Sequence, residues 1–196
     1  MSAAKPTLER LGERGFLGRI REFMAPEGAD GGRLLIAFGD DAAVWNPAPS
    51  GAGRAPLLVA TLDTMVEDTH FRRAWATWED VGRKLVASNV SDIAAMGARP
   101  TIALFSLAAP PSLSIDSIDS LYKGIAMECA RWSVAPAGGD TVRAPQVTLT
   151  LALLGEKDPH TATCRRDALR PGQRLYVTGW PGESGAGFSL LRESGR

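Results

Sequence analysis

The sequence predicts a mixed fold of the α+β or α/β class in a chain of 196 residues. Helical patterns alternate with short apolar patterns typical of strands, and no internal repeat is present. Apolar residues make up 44% of the chain and charged residues 22%, as in globular proteins that bury a core of their own. This composition excludes a disordered chain, a collagen and a coiled coil.

The first elements are a helix and a strand separated by a loop. Apolar residues at roughly helical spacing predict a helix over Leu8–Met24, although Gly12, Gly15 and Gly18 weaken it. A loop rich in proline and glycine follows over Asn46–Pro56. The compact apolar segment Leu57–Leu62 then predicts a strand.

A second helix is predicted from Thr77 to Met96. Thr77 and the acidic residues that follow it form a capping box, and Gly97 ends the helix. The second half of this helix carries small residues, which permit a close approach to another backbone. Asn89 and Asp92 are three residues apart and therefore share a face of the helix.

The remaining patterns continue the alternation. The apolar run 102–107 predicts a strand buried on both faces, and a third helix begins near Ser114 with one apolar stripe: Ile118, Leu121, Ile125, Cys129 and Trp132. A turn is predicted at Gly138–Asp140, followed by a half-buried strand over Val147–Leu153. Leu175–Thr178 predicts a last strand, which leads through a glycine-rich turn over residues 179–187 into a final helix.

Charge, hydropathy and cysteine content exclude several classes of protein. No apolar run approaches the roughly 18 to 20 residues that span a bilayer, and the charged N-terminus lacks the apolar segment of a signal peptide. We therefore expect a cytoplasmic protein without a membrane partner. The formal net charge of 0 argues against a nucleic-acid partner. Cys129 and Cys164 form neither a CxxC pair nor a disulfide framework, so both are expected to be free thiols.

Aspartates flanked by small residues are the candidate functional groups. Six of them lie where strands, turns and the small-residue helix are predicted: Asp40, Asp41, Asp63, Asp68, Asp92 and Asp140. Each one taken alone is readily explained as a turn former or cap. If four of the carboxylates converge, each pair repels by roughly 3 kcal/mol at 5 Å and needs a cation. Oxygen ligands favour magnesium, and magnesium beside glycine-rich turns is typical of phosphoryl transfer.

Four ordered motifs extend this interpretation. They are GDDAAV at Gly39–Val44, TLDTMVEDTHF at Thr61–Phe71, NVSDIAAMGA at Asn89–Ala98, and GGDT at Gly138–Thr141. In order and spacing they resemble the thiamine-monophosphate kinase family of the AIR-synthetase-related superfamily. The resemblance implies an α+β domain with a mixed sheet and packed helices, which pairs with a second copy into a shared barrel. It divides the chain into an N-terminal domain over 1–156 and, over 157–196, a linker with the opening strand, turn and helix of a second domain.

The same resemblance implies magnesium-dependent transfer of the γ-phosphoryl group of ATP to thiamine monophosphate by a homodimer. The positions that match magnesium-site residues are Asp41, Thr61, Leu62, Asp63, Asp92 and Asp140, of which Asp63 and Asp92 are the candidate catalytic pair. Leu62 departs from the commoner Thr or Ser, so a metal contact there requires its backbone carbonyl. Gly139, Asp140 and Arg166 resemble nucleotide contacts, and His70 resembles a substrate-binding residue.

The chemistry is consistent with this residue set. A phosphate acceptor is already ionised at neutral pH, so positioning and charge neutralisation replace a strong general base. Two other interpretations stay open: another ATP-dependent synthetase of the superfamily, and a catalytically inactive module that dimerises or binds nucleotide and metal. Because the family continues into a second domain, we expect the isolated 196-residue chain to lack turnover.

Overall fold

A computed structural model describes residues 7–24, 33–36, 40–48 and 55–194. Over these ranges the chain forms four helices and six strands in the order α1 (Leu8–Met24), β1 (Leu34–Ile36), β2 (Ala43–Trp45), β3 (Leu57–Val66), α2 (Trp78–Ala95), β4 (Arg99–Ala109), α3 (Ile115–Trp132), β5 (Ala135–Arg143), β6 (Thr148–Lys157) and α4 (Glu183–Ser194). The architecture is α+β, as predicted.

The six strands form one mixed sheet in the order β1-β2-β3-β6-β4-β5. Every neighbouring pair is antiparallel except β4 and β5, which α3 connects as a parallel pair. A parallel pair needs such a crossover because its strands cannot be joined by a tight turn. The last strand in sequence, β6, therefore lies in the middle of the sheet, between β3 and β4.

Helices α2 and α3 cover one face of the sheet, which we call the helix face. Alternate residues of β6 point into it, and Leu149, Leu151 and Leu153 are at most 1% exposed. Val59 of β3 and Leu85 and Ile93 of α2 belong to the same buried cluster. The core thus fixes α2 directly over β3 and β6.

Capping and strand periodicity confirm most of the predicted elements. Thr77 caps α2 through reciprocal bonds with Asp80, and Ser114 accepts a hydrogen bond from the Ser117 backbone at the start of α3. The predicted strand at 147–153 is β6, although it extends to Lys157. The predicted first helix is α1, in which Gly12 has non-helical backbone angles.

Two local predictions are wrong. Residues 138–140 form no turn but lie inside β5, because pairing with β4 extends a segment that glycines alone would mark as a turn. Leu175–Thr178 is not a strand, and Leu175 and Tyr176 are 80% and 87% exposed. No strand pairs with this segment among the described residues, so its apolar side chains do not enter the core.

The prediction that the strand at 102–107 is buried on both faces is also wrong for this chain. Only the helix-face side of β4 is covered, and the opposite, open face of the sheet carries exposed apolar residues: Leu62 (63%), Ile102 (42%), Leu104 (45%) and Leu154 (39%). Strand β6 lies inside the sheet, so its apolar residues are exposed on a face of the sheet and not along an edge. Among the described residues, no second layer covers the apolar side chains on that face.

Three further features concern hydropathy, the cysteines and the apolar stripe of α3. No helix within the described ranges has the length and hydropathy to cross a bilayer. Both cysteines are free thiols, Cys129 buried and Cys164 exposed. Of the apolar stripe predicted for α3, Trp132 is 43% exposed, and its indole nitrogen donates to the buried carboxylate of Glu128 at 2.8 Å.

Candidate functional site

The core of the site is a contact between β3 and α2. Thr61 lies in the middle of β3 and points to the helix face, where its Oγ1 lies 3.0 Å from Oδ2 of Asp92. The same hydroxyl lies 3.4 Å from the carbonyl oxygen of Asp41, which lies two residues before the start of β2. Asp63 follows on the same face of β3, inside the strand rather than at its end. The small residues of α2 allow the helix to bring Asp92 this close to the sheet.

Arg166 approaches this cluster from the segment after β6. Its backbone N–H donates to Oδ1 of Asp40 at 3.1 Å, and its guanidinium pairs with the carboxylate of Asp41. The two residues of that ion pair are 125 positions apart in the sequence. The fold therefore places a cation of the chain itself beside the acidic cluster.

Electrostatics mark Asp92 as the central group of the cluster. Partial burial is the main cause that raises the pKa of Asp92, and the hydrogen bond from Thr61 opposes this rise. The charges of Asp63 and Asp41 raise the pKa further, while Arg166 lowers it. The carboxylates of Asp41 and Asp63 thus lie near enough to Asp92 for their charges to act on it.

A magnesium ion fits these donors only with help from other ligands. Within the described ranges, no three His, Cys, Asp or Glu side chains lie close enough to hold a metal ion by themselves. The donors present are oxygens, which magnesium prefers, and magnesium commonly uses one or two carboxylates together with water and substrate phosphates. The cluster therefore suits a magnesium ion whose remaining ligands are water molecules or phosphate oxygens.

The structure does not bring Asp140 into this cluster. Asp140 pairs with Ser106, Ser106 with Thr150, and Thr150 with Thr64 across the sheet. Three strand spacings of about 4.8 Å separate β5 from β3, or about 14 Å in all. Two carboxylates that share one magnesium ion at about 2.1 Å lie far closer than that. Asp140 and the cluster cannot share an ion within one chain in this arrangement.

Gly139 is required by the sheet itself. A Cβ atom added at Gly139 would lie 1.6 Å from the carbonyl oxygen of Phe105 on β4. No side chain fits between these paired strands, so this glycine has a structural role independent of any ligand. Together with Asp140 and Tyr122 it lines a cavity of about 510 Å³ between β5 and α3. This cavity is the second group of candidate site residues.

The side chains of Leu62 and His70 do not belong to the cluster of Asp41, Asp63 and Asp92. The Leu62 side chain is on the open face, so only its backbone can reach the helix face. His70 follows the C-terminal end of β3, where its Nδ1 accepts a hydrogen bond from the Val66 backbone at 3.0 Å. A neutral ring in this arrangement carries its proton on Nε2. His70 lines a cavity of about 410 Å³ together with Trp75, Lys84 and Phe188.

The sequence analysis did not predict the burial of Asn89 and Lys157. Asn89 is fully buried on α2, although its spacing from Asp92 had placed the two on one face. Lys157 is 2% exposed, and its ammonium donates to the carbonyl oxygen of Thr161 at 2.7 Å, which anchors the segment leading to Arg166. No sequence pattern distinguishes Lys157, because a lysine at the end of a strand is usually exposed. Gly39 of the first motif lies outside the described residues.

Comparison with known proteins gives a consistent result. Thiamine-monophosphate kinase of Bacillus subtilis (strain 168) is 38% identical over 159 residues, which cover 81% of this chain and 47% of the relative. Thiamine-monophosphate kinase of Mycobacterium tuberculosis (strain CDC 1551 / Oshkosh) is 35% identical over 191 residues, or 97% of this chain and 54% of the relative. The chain thus spans about half the length of the curated relatives it matches.

Solved structures agree with this result. A structure of AaThiL complexed with AMPPCP and TMP superimposes with a TM-score of 0.82 at 27% identity, over 98% of this chain and 56% of that one. The family model described as AIR synthase related protein, N-terminal domain, matches residues 39–156, which include β2 to β6 and the acidic cluster. The chain therefore belongs to the AIR synthase related protein family and carries its N-terminal domain.

Proposed function

We propose that this chain is the N-terminal part of a thiamine-monophosphate kinase, which uses ATP and magnesium to convert thiamine monophosphate to thiamine diphosphate. The observation that carries the proposal is the oxygen cluster of Thr61, Asp63 and Asp92 on a fold shared with such kinases. The relatives at 35% and 38% identity support the assignment. A bound magnesium ion would neutralise charge on the transferred phosphoryl group.

Asp41, Asp63 and Asp92 are the proposed magnesium-site residues, with Thr61 and the Leu62 carbonyl beside them and with water or phosphate oxygens completing the coordination. Thr61 donates its hydroxyl proton to Asp92 and so holds that carboxylate in one orientation. The partial burial of Asp92 reduces screening by solvent, which strengthens its attraction for a cation. Asp63 and Asp92 are the proposed catalytic pair because Asp63 points to the helix face of the sheet, where Asp92 of α2 lies.

Arg166 is the proposed nucleotide contact near this cluster. Its guanidinium is about two-thirds exposed while it pairs with Asp41. A guanidinium presents several donors in a planar fork that matches phosphate oxygens. If Arg166 exchanged its partner, the Asp41 carboxylate, for a phosphate of the nucleotide, Asp41 would become available to magnesium. The guanidinium of Arg166 would then pair with the nucleotide.

Gly139 and Asp140 are proposed to contact the nucleotide or a separate magnesium ion, since about 14 Å divides β5 from β3. His70 is the proposed substrate contact. Its Nε2–H can donate to an anionic oxygen, while Nδ1 is held by the Val66 backbone. None of these roles supplies a general base to the acceptor phosphate. An ionised phosphate oxygen does not need one, because it has no proton to lose.

A homodimer in the cytoplasm is the proposed state of the protein. The open face of the sheet presents Leu62, Ile102 and Leu104 together, and their burial by a second copy would remove this apolar surface from water. Residues 1–156 are the proposed domain, and residues 157–196 the proposed linker and start of a second domain. The exposed apolar segment at Leu175–Val177 is consistent with a surface that further chain covers.

The test compares this chain with a version extended to the length of its relatives. We expect the extended protein to form thiamine diphosphate from thiamine monophosphate, ATP and magnesium, and the 196-residue chain to bind nucleotide without turnover. In the extended protein Asp92→Asn should abolish most activity, whereas Asp119→Asn, at an exposed position of α3, should leave it intact. An extended protein that folds but forms no product would refute the proposal. Equal rates from both lengths would show that residues 1–196 hold the complete site.

A further inference from the structure

Asn89 carries a buried oxygen for which the fold provides no partner. The residue is 0% exposed, and its side-chain nitrogen donates to the carbonyl oxygen of Leu85 at 2.9 Å. Its Oδ1 has no hydrogen-bond partner among the described residues. Reversal of the amide would place Oδ1 against the carbonyl oxygen of Leu85, and two acceptors cannot form a hydrogen bond with each other. Buried acceptors are nearly always paired in proteins, and an unpaired one indicates a water molecule, an ion or a functional role.

The direction of α2 places this oxygen beside the acidic cluster. Near the start of α2, Lys84 donates to the carbonyl oxygen of His70, beyond the C-terminal end of β3. Two turns later Asp92 contacts Thr61 in the middle of β3. The helix therefore runs antiparallel to the strand on the helix face.

The spacing along both elements then fixes the neighbours of Asn89. Asn89 lies three residues before Asp92, about 4.5 Å along the helix axis. Asp63 lies two residues after Thr61 in the same direction, about 6.6 Å along the strand. Asn89 thus lies level with the stretch of β3 between Thr61 and Asp63, on the side of α2 that carries Asp92.

We propose that Oδ1 of Asn89 is a neutral oxygen ligand of a divalent cation bound between Asp63 and Asp92, reached directly or through one water molecule. This assignment rests on the proposed magnesium site. It explains the unpaired acceptor, since a cation or its water satisfies a lone pair that the protein leaves free. A neutral amide adds a ligand without adding to the repulsion among Asp41, Asp63 and Asp92.

The test measures Mn²⁺ binding by the loss of the free-ion electron paramagnetic resonance signal, together with the melting temperature without metal. Asn89→Leu keeps a branched side chain with four heavy atoms and removes the orphan oxygen. We expect it to raise the metal-free melting temperature, because a buried unpaired polar group is removed, and to weaken Mn²⁺ binding about tenfold to hundredfold. Ser88→Ala is the matched control on α2, since that hydroxyl bonds only to carbonyls of the preceding turn. It should leave both measurements unchanged.

The outcomes separate this inference from the function on which it rests. If Asn89→Leu binds Mn²⁺ as tightly as the wild type, the inference is wrong, whatever the melting temperature of the variant. In that case the proposed magnesium site still holds, provided that Asp92→Asn loses Mn²⁺ binding. Absence of Mn²⁺ binding by the wild type, or full binding by Asp92→Asn, overturns both. If Asn89→Leu does not fold, Asn89→Asp provides the test. This variant retains the oxygen and adds a negative charge, so it must bind Mn²⁺ more tightly than the wild type. Equal or weaker binding overturns the proposal.

Discussion

Helices α2 and α3 cross where two glycines leave no side chain between them, and this crossing yields a sharp stability prediction. A Cβ atom added at Gly124 would lie 2.0 Å from the carbonyl oxygen of Glu79 and 2.8 Å from its carbonyl carbon. Ordinary contact begins near 3.4 Å. Gly124→Ala therefore requires a local separation of the helices by about 1.4 Å, because backbone atoms cannot move aside as a flexible side chain does.

The expected cost follows from two opposing effects. Overpacking of this kind costs about 3 kcal/mol, while alanine favours a helix over glycine by about 1 kcal/mol. The separation would also loosen the buried contacts of Val81, Leu85 and Leu121. We expect a net loss of about 2 kcal/mol in the free energy of unfolding, or about 4 to 8 °C in melting temperature for a chain of this size.

Urea denaturation and thermal melting of Gly124→Ala against Gly187→Ala provide the measurement. Gly187 lies inside α4, and an added Cβ meets nothing within 4 Å there. That control should be unchanged or more stable, by about 1 kcal/mol at most. If Gly124→Ala is as stable as the control, the close crossing of α2 and α3 is not what the structure shows, and the reasoning fails.

Three further predictions concern the proposed interface, the substrate contact and a helix cap. Light scattering should give the mass of a dimer for the wild type and of a monomer for Leu62→Asp. The control Leu190→Asp, on α4, should remain dimeric. A monomeric wild type would contradict the proposed interface. In the extended protein, His70→Ala should raise the KM for thiamine monophosphate more than the KM for ATP, and equal effects would argue against a substrate contact. Thr77→Ala should cost about 1 kcal/mol at neutral pH by urea denaturation. Hydrogen bonds from Thr77 lower the pKa of Asp80 in the folded state. Their contribution is therefore complete above the unfolded pKa of about 4 and is lost as pH falls through the folded value, so the difference between wild type and Thr77→Ala must shrink in acid.

Local patterns were sufficient for the helices and for most strands. The capping box at Thr77 and the cap at Ser114 involve residues within four positions of each other, so the sequence predicted both helix starts. The alternation of Leu149, Leu151 and Leu153 likewise depends only on strand period. The motifs around Thr61, Asp92 and Asp140 indicated the family, which comparison then confirmed.

The sequence by itself did not determine which of these motifs meet. Packing of α2 on β3 joins Thr61 to Asp92, whereas β6 and β4 lie between β3 and β5 and separate Asp140 from this contact. A segment far along the chain brings Arg166 to Asp41. Pairing with β4 makes Gly138–Asp140 a strand, although glycine content predicted a turn. These outcomes depend on sheet order and on burial by distant residues, which no local period or cap encodes. The unpaired oxygen of Asn89 is visible only in the tertiary structure for the same reason, because its burial requires α2 to pack on β3.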